Sequence, residues 1–148
     1  MTHTFNTPIG AVRLVEEGGS IIRIELTDAD VSSSAPTPLL REAEHQITAF
    51  LRGDRRQLDF PIRMVGTVFQ QRVWRALQQI PYGATRTYGE IASAIGSPRA
   101  SRAVGMACNK NPLLFIVPCH RVVGTGGKLI GFAYGTEAKR WLLELEVE

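Results

Sequence analysis

One stretch of the chain sets a thiol beside an imidazole inside an apolar run: Ile116-Val117-Pro118-Cys119-His120-Arg121-Val122-Val123-Gly124. The thiolate, not the thiol, is the nucleophile, so a cysteine that reacts near neutral pH needs a base or a cation beside it. His120 is the nearest candidate in sequence. Pro118 fixes its own φ and removes a backbone donor, and β-branched neighbours favour extended chain, which predicts Cys119 at a rigid bend leaving a strand. A cysteine in such a run also fits a small buried packing role, and neighbours along a strand point to opposite faces. Adjacency alone leaves a reactive pair and a core cysteine both open.

The elements that would position this pair belong to an ordinary globular chain of 148 residues, 44% hydrophobic and 21% charged. The longest apolar run, residues 113–117, is far too short to span a membrane, and the polar start Met1-Thr2-His3-Thr4 lacks a signal-peptide pattern. The expectation is a cytoplasmic protein with no membrane partner. Cys108 and Cys119 read as reduced thiols, since one bridge is poor evidence for a secreted scaffold of this length. Three scattered histidines and two cysteines make no cluster at metal-ligand spacing, and no phosphate-cradling glycine loop occurs, so neither metal nor cofactor is expected. Charge is divided unevenly: residues 1–61 carry −3, with six Arg against nine acids, and residues 62–148 carry +6, with eleven bases against five acids. That asymmetry suggests a polyanionic partner for the second half, although a basic face is often merely solvated.

The first 26 residues read as three short strands, residues 4–6, 11–15 and 21–26, around turns at Pro8-Ile9-Gly10 and Glu17-Gly18-Gly19-Ser20. Residues 27–38 read as loop, and Leu39, Ala43, Ile47, Phe50 and Leu51 then recur at helical spacing. Residues 58–60 suit one more strand, and the polar stretch around Pro61 marks a boundary between a domain of residues 1–61 and one of residues 66–148. His3 and His45 have no partner in sequence and read as incidental.

In the second half, Phe69, Val73, Trp74, Leu77 and Ile80 recur at helical spacing up to the breaker Ile80-Pro81-Tyr82-Gly83, with Trp74 as a core anchor. Thr87 and Glu90 form a capping box that opens a helix over residues 88–95, closed by Gly96. Ser97 as cap and Pro98 as first residue then start a second helix over residues 98–109. The pair makes a helix-turn-helix unit. Its second helix carries Arg99, Arg102 and Lys110 among small residues, so a nucleic-acid backbone or another packed helix could approach it closely. After a glycine-rich loop at residues 124–127 and an extended segment near residues 129–132, a last helix begins near Thr136 with Ala138, Trp141, Leu142 and Leu145 on its apolar face. Glu144 and Glu146 lie off that face, on the surface. Acid at a helix C-terminus opposes the dipole, and His120 is the positive partner that would relieve Glu146.

Together these residues resemble the O6-alkylguanine-DNA alkyltransferases, repair proteins that move an alkyl group from damaged guanine onto a cysteine. The likeness rests on the stretch from Ile116 to Val123, and on Ile80-Pro81-Tyr82-Gly83, Thr87-Tyr88, Arg102-Ala103-Val104-Gly105, Asn111-Pro112 and Lys139-Arg140-Trp141-Leu142-Leu143-Glu144-Leu145-Glu146. It covers most of residues 66–148. The expected fold is α+β: a small N-terminal antiparallel sheet with a helix, then a mainly helical domain holding the helix-turn-helix and the reactive cysteine. The resemblance implies that Cys119 accepts the alkyl group, that His120 activates it through a water, and that Glu146 orients His120. It implies that Asn111 braces the hinge before the cysteine and that Tyr88 contacts the extruded nucleotide. Arg102 would enter the stack in its place. Ser101, Ala103, Gly105 and Lys110 would complete the surface for double-stranded DNA containing O6-alkylguanine, in the minor groove. Pro118, Val122, Phe132, Ala133 and Tyr134 would wall the base pocket, with backbone groups of Cys119, Val122 and Ala133 bonding the base. The expected protein is a monomer, open to cooperative assembly on DNA, that works once.

The chain departs from common family members at Phe132, Ala133 and Tyr134, and Cys108 reads as a packing residue rather than a second acceptor. Two other readings are a lesion-binding protein of the alkyltransferase-like type, which lacks the acceptor cysteine, and a Cys-His hydrolase, which would turn over an acyl substrate and need no basic helix pair. The bulk of Tyr134 generates a prediction: reaction with O6-benzylguanine is slow, and Tyr134→Gly speeds it. Second-order rates for the two proteins check this, and equal rates would remove Tyr134 as the limit on alkyl size.

Overall fold

A computed structural model describes residues 1–31 and 35–147. The chain divides into two compact units, Met1–Val65 with Pro112–Leu114, and Gly66–Asn111 with Phe115–Glu148.

The first unit is built on strands β1 (Thr2–Thr7), β2 (Gly10–Glu17) and β3 (Ser20–Thr27), antiparallel in the order β1-β2-β3. Side chains alternate across a strand, and Val12 and Leu14 of β2 are buried while Ala11, Arg13 and Val15 are not. A register shift between Val15 and Glu16 lets both Ile21 and Ile24 of β3 turn inward. Helix α1 (Pro38–Leu51) begins at Thr37, whose hydroxyl accepts from Leu40 N at 3.2 Å, and buries Leu40, Ala43, Ile47, Phe50 and Leu51. The loop expected over residues 27–38 is shorter at both ends, because β3 keeps Thr27 and Pro38 heads the helix; residues 32–34 of that loop lie outside the described residues.

His3, without a partner in sequence, meets Glu44 of α1 through its Nε2. Two expectations fail in this unit. Residues 58–60 form no strand: Phe60 is buried, and Ile62 makes a single parallel bridge to Ile21 instead. Pro112–Leu114 packs with the first unit: Ile24 N donates to Pro112 O at 2.8 Å and Leu114 N to Ile24 O at 3.1 Å.

The second unit contains α2 (Val68–Gln78), β4 (Arg86–Thr87), α3 (Tyr88–Ala94), α4 (Ser101–Asn109), β5 (Val122–Val123) and α5 (Thr136–Glu146). Helices α2 and α3 both start with a reciprocal capping box, Thr67 with Gln70 and Thr87 with Glu90. Gly96, with φ +77°, ends the turn after α3. Trp74 is buried between helices, and its indole Nε1 donates to Ala107 O of α4 at 2.9 Å.

Helix α4 starts three residues later than the sequence pattern suggests. Ala100 N bonds Ser97 O at 2.9 Å, so Ser97 and Pro98 form a separate turn and Ala100, without a side-chain cap, begins the helix. The cysteine does not leave a strand either. Residues 114–116 form a turn with Phe115 at φ +73°, Cys119–Arg121 is a single 3₁₀ turn, and the strand β5, parallel to β4, comes after it. Likewise residues 129–132 pair with no strand.

Candidate active site

Pro118, buried, heads the 3₁₀ turn, and Arg121 N closes it on Pro118 O at 2.9 Å. A 3₁₀ turn advances about 120° per residue, so it can send three successive side chains in three directions, which a strand cannot. Cys119, His120 and Arg121 are all buried.

His120 Nε2 lies 2.7 Å from Glu146 Oε2 at the end of α5. Arg121 grips the same carboxylate with two bonds, Nε to Oε1 and Nη2 to Oε2, each 2.8 Å, and its Nη1 donates to Ile80 O at 2.9 Å. Gly83 N adds a longer bond to Oε1 at 3.4 Å, and the Arg121 guanidinium lies over the Tyr82 ring, 5.5 Å from its centroid. The breaker Ile80-Pro81-Tyr82-Gly83 therefore supplies a carbonyl, a ring and an amide to one ionic cluster. Glu146 is only 4% exposed, which corrects its assignment to the surface. Its pairing with His120 is as expected, but helix-surface reasoning did not show its burial, because the helix ends inside the unit, and the positive partner is Arg121 rather than the neutral His120. Arg121 was missed; the signal was available in its place directly after His120 within an apolar run.

The electrostatics follow from this geometry. Burial alone would raise the Glu146 pKa, but hydrogen bonds from His120 and Arg121 outweigh it and hold the group at about 2. Burial pushes His120 below its ordinary value despite Glu146, so the ring is neutral. A neutral ring that meets a carboxylate through Nε2 carries its proton there, which leaves Nδ1 as the basic nitrogen. Nδ1 is buried and has no hydrogen-bond partner among the described residues.

Asn111, just after α4, donates from Nδ2 to Val117 O at 2.8 Å and to Cys119 Sγ at 3.2 Å. Burial raises the Cys119 pKa, opposed by the Asn111 bond and by the Lys139 cation. The resting group is therefore a thiol rather than a standing thiolate. Lys139 of α5 is the other residue the sequence reading passed over. Fully buried, it donates to Val122 O and, at 2.8 Å, to Ile130 O, and its Nζ lies 5.8 Å from the Tyr88 ring centroid and 5.9 Å from that of Phe132. Tyr88 Oη donates to the same Ile130 carbonyl at 2.8 Å, and burial followed by the two thiols raises its pKa to about 12. Gly131 has φ +76° and no space for a side chain, because a Cβ would fall on Tyr88 Oη. Phe132 and Tyr134 meet edge to face at 5.8 Å, and Ala133 between them is exposed. Cys108 is buried on α4, its pKa raised by burial to about 12, as an inert packing thiol requires.

Cys119, His120, Glu146, Asn111, Tyr88, Pro118 and Val122 thus share one neighbourhood with Arg121 and Lys139. Phe132, Ala133 and Tyr134 lie on the segment between β5 and α5, and the DNA-surface candidates lie on α4 and just beyond its end: Arg102 and Lys110 are exposed, and Ser101, Ala103 and Gly105 are partly exposed. The arrangement can ionise a buried thiol by passing its proton to a neutral imidazole whose far nitrogen is anchored to an ion pair.

Residues 68–148 match the family model described as 6-O-methylguanine DNA methyltransferase, DNA binding domain. The chain is 47% identical to the methylated-DNA–protein-cysteine methyltransferase of Methanosarcina acetivorans, over 96% of this chain and 95% of that one. It is 42% identical to the constitutive methylated-DNA–protein-cysteine methyltransferase of Bacillus subtilis, over 97% and 93% of the two chains. The crystal structure of Mycobacterium tuberculosis OGT in complex with DNA superposes with a TM-score of 0.89 at 44% identity, over 99% of this chain and 92% of that one.

Two predictions follow from the ionic cluster. Removing Arg121 leaves a buried carboxylate facing only a neutral imidazole and the Gly83 amide, so Arg121→Ala costs about 3 kcal/mol or more of stability, read from urea unfolding. Acid acts through two groups in the same direction. The unfolded chain takes up the His120 proton below pH 6.5 while the folded one resists it, and Glu146, at 4.5 unfolded, stays ionised in the fold until about 2. Stability is therefore fully present above pH 6.5, starts to fall below it, and falls more steeply between 4.5 and 2. Unfolding free energy measured across this range checks the two limbs, and Glu146→Gln flattens the lower one.

Proposed function

The chain belongs to the 6-O-methylguanine DNA methyltransferase family, and from that premise we infer that it binds DNA and repairs it by direct reversal, carrying an alkyl group from the damaged base to its own cysteine. Its activity is that of a methylated-DNA–protein-cysteine methyltransferase. The substrate we assign is O6-alkylguanine in double-stranded DNA, and the acceptor is Cys119.

The observation that carries the reading is the buried Cys119 thiol, held by Asn111 one residue ahead of a neutral His120 that is itself anchored to Glu146. An alkylated base inside a duplex is out of reach of a buried thiol, so the base must leave the stack, at a cost of a few kcal/mol that groove and pocket contacts offset. Arg102, exposed on α4 between small residues, suits the vacated position. Tyr88 and the segment carrying Phe132, Ala133 and Tyr134 suit the pocket wall.

In the transfer, the Cys119 S–H proton moves to His120 Nδ1, directly or through a water, and Glu146 stabilises the imidazolium that results. The thiolate attacks the alkyl carbon in line with the C–O6 bond. The S–C bond forms as the C–O6 bond breaks, and the electron pair leaves with guanine, toward which Tyr88 Oη donates a hydrogen bond and which recovers the proton that His120 took. The thioether product has no leaving group and no second nucleophile to release it, so each molecule acts once. A lesion-binding protein that does no transfer is disfavoured by the cysteine itself.

Intact-protein mass spectrometry after incubation with a duplex carrying one O6-methylguanine gives the direct check. One methyl per molecule on Cys119 is expected, saturating at that value, with none in Cys119→Ser or on undamaged duplex. Tight lesion-selective binding without an adduct would turn the reading to a lesion sensor.

A further inference from the structure

The outer face of α4 carries a side chain that the transfer reaction does not use. Met106 is 68% exposed, although it sits in mid-helix among small residues. It lies four residues after Arg102, so the two occupy one stripe of the helix, one turn apart. Beside Met106 a mainly apolar recess of about 250 Å³ runs between α4 and the start of α2, lined by Thr67, Phe69, Gln70, Ala103, Ala107 and Lys110. Val68, in the first turn of α2, is 81% exposed.

The charge around this shelf is of one sign. From residue 91 to residue 136 the sequence contains no Asp or Glu, and α2 carries Arg72 and Arg75 with no acid. A second protein copy would bring its carboxylates and its own bases alike, with nothing here to sort them. Duplex DNA matches both properties at once: phosphates at the rim of a groove and the C–H edges of deoxyribose along its walls. Apolar side chains are common contacts in minor grooves, and the unbranched thioether of Met adapts to varied surfaces.

We propose that Met106, with the apolar recess beside it, is a second groove contact of the DNA-binding surface, seated against deoxyribose one helical turn from Arg102, with Lys110 on the flanking phosphate. The proposal rests on the reading of α4 as the groove helix. It gives the surface a share of affinity that depends neither on charge nor on base sequence.

The test is equilibrium binding to a fluorescent duplex, with and without O6-methylguanine, across a series of salt concentrations, in a Cys119→Ser background that stops transfer. Met106→Ala should weaken binding about fivefold, the loss of part of one apolar side chain's burial, at every salt concentration and on both duplexes. Met106→Leu should restore it. Lys110→Ala should weaken binding and also lower the slope of log K against log salt by about one. With Cys119 intact, Met106→Ala should react with free O6-methylguanine base at the wild-type rate. Wild-type DNA affinity in Met106→Ala overturns the proposal, as does equal loss on DNA and free base. If Met106→Ala alone is silent while Arg102→Ala and Lys110→Ala weaken binding, only this inference falls. If all three are silent, α4 is not the groove helix and the underlying reading falls with it.

Discussion

The buried carboxylate of Glu146 is the interaction on which the second unit depends. A carboxylate taken out of water costs several kcal/mol unless its lone pairs are met, and here they are met by two Arg121 nitrogens, His120 and the Gly83 amide. Those donors come from residues 83, 120 and 121, and the acceptor from residue 146, so three distant stretches are fastened to one charge. This explains the 3₁₀ turn. In a strand, His120 and Arg121 would face opposite sides and could not reach the same group. It also explains the breaker after α2, which must stop the helix where Ile80 can offer a carbonyl to Arg121.

The same cluster sets the chemistry of the thiol. Arg121 and Glu146 cancel, His120 is neutral, and Lys139 has carbonyls rather than a carboxylate around it. Burial lowers the Lys139 pKa and the two thiols raise it, so a Cys119 thiolate and a Lys139 ammonium favour one another, yet burial keeps the sulfur protonated until its proton has somewhere to go. A standing thiolate would react with any electrophile or oxidant that reached it. On the mechanism inferred above, a buried thiol with a preorganised proton acceptor ionises in step with the transfer, when the developing charge meets the Asn111 amide and the field of Lys139. For a protein that acts once, holding the nucleophile back in this way protects its single use.

The sequence revealed those features that depend on local chemistry and concealed those that depend on where an element ends. Strand periodicity, the Thr87 and Glu90 capping box and the helical spacing around Trp74 are local, and the three strands, α2 and α3 follow them. Cys119 and His120 stood out because their types are rare in an apolar run. Arg121 and Lys139 did not, since a cation reads as surface until a buried carboxylate or a pair of carbonyls is known to await it. Glu146 was noticed for its unfavourable place on the helix dipole, but its burial needs the tertiary cluster to be visible. Pro112–Leu114 shows the same limit: nothing in three residues announces that β3 will bond them. Ser97-Pro98 has the local signature of a helix start, and a turn closed by Ala100 overrode it.

One residue joins the two halves of the work. Tyr88 is the first residue of α3, so its backbone belongs to the helix pair to which the DNA-binding surface is assigned above, while its hydroxyl is tied to Ile130 in the segment before Phe132. Gly105 of α4 faces its ring, where a Cβ would sit 3.8 Å away, and the Lys139 ammonium lies over the same ring. Gly131 lacks a side chain where the hydroxyl passes. The groove helix, the pocket segment and α5, which also carries Glu146, thus meet on a single aromatic ring with little slack between them. On the mechanism inferred above, a base extruded past α4 needs to arrive at a fixed offset from Cys119 for in-line attack, since misplacement by about 1 Å can cost two orders of magnitude in rate. A ring shared between the surface inferred to extrude the base and the pocket inferred to receive it meets that requirement, and the Tyr88 hydroxyl accounts for the absence of a side chain at residue 131.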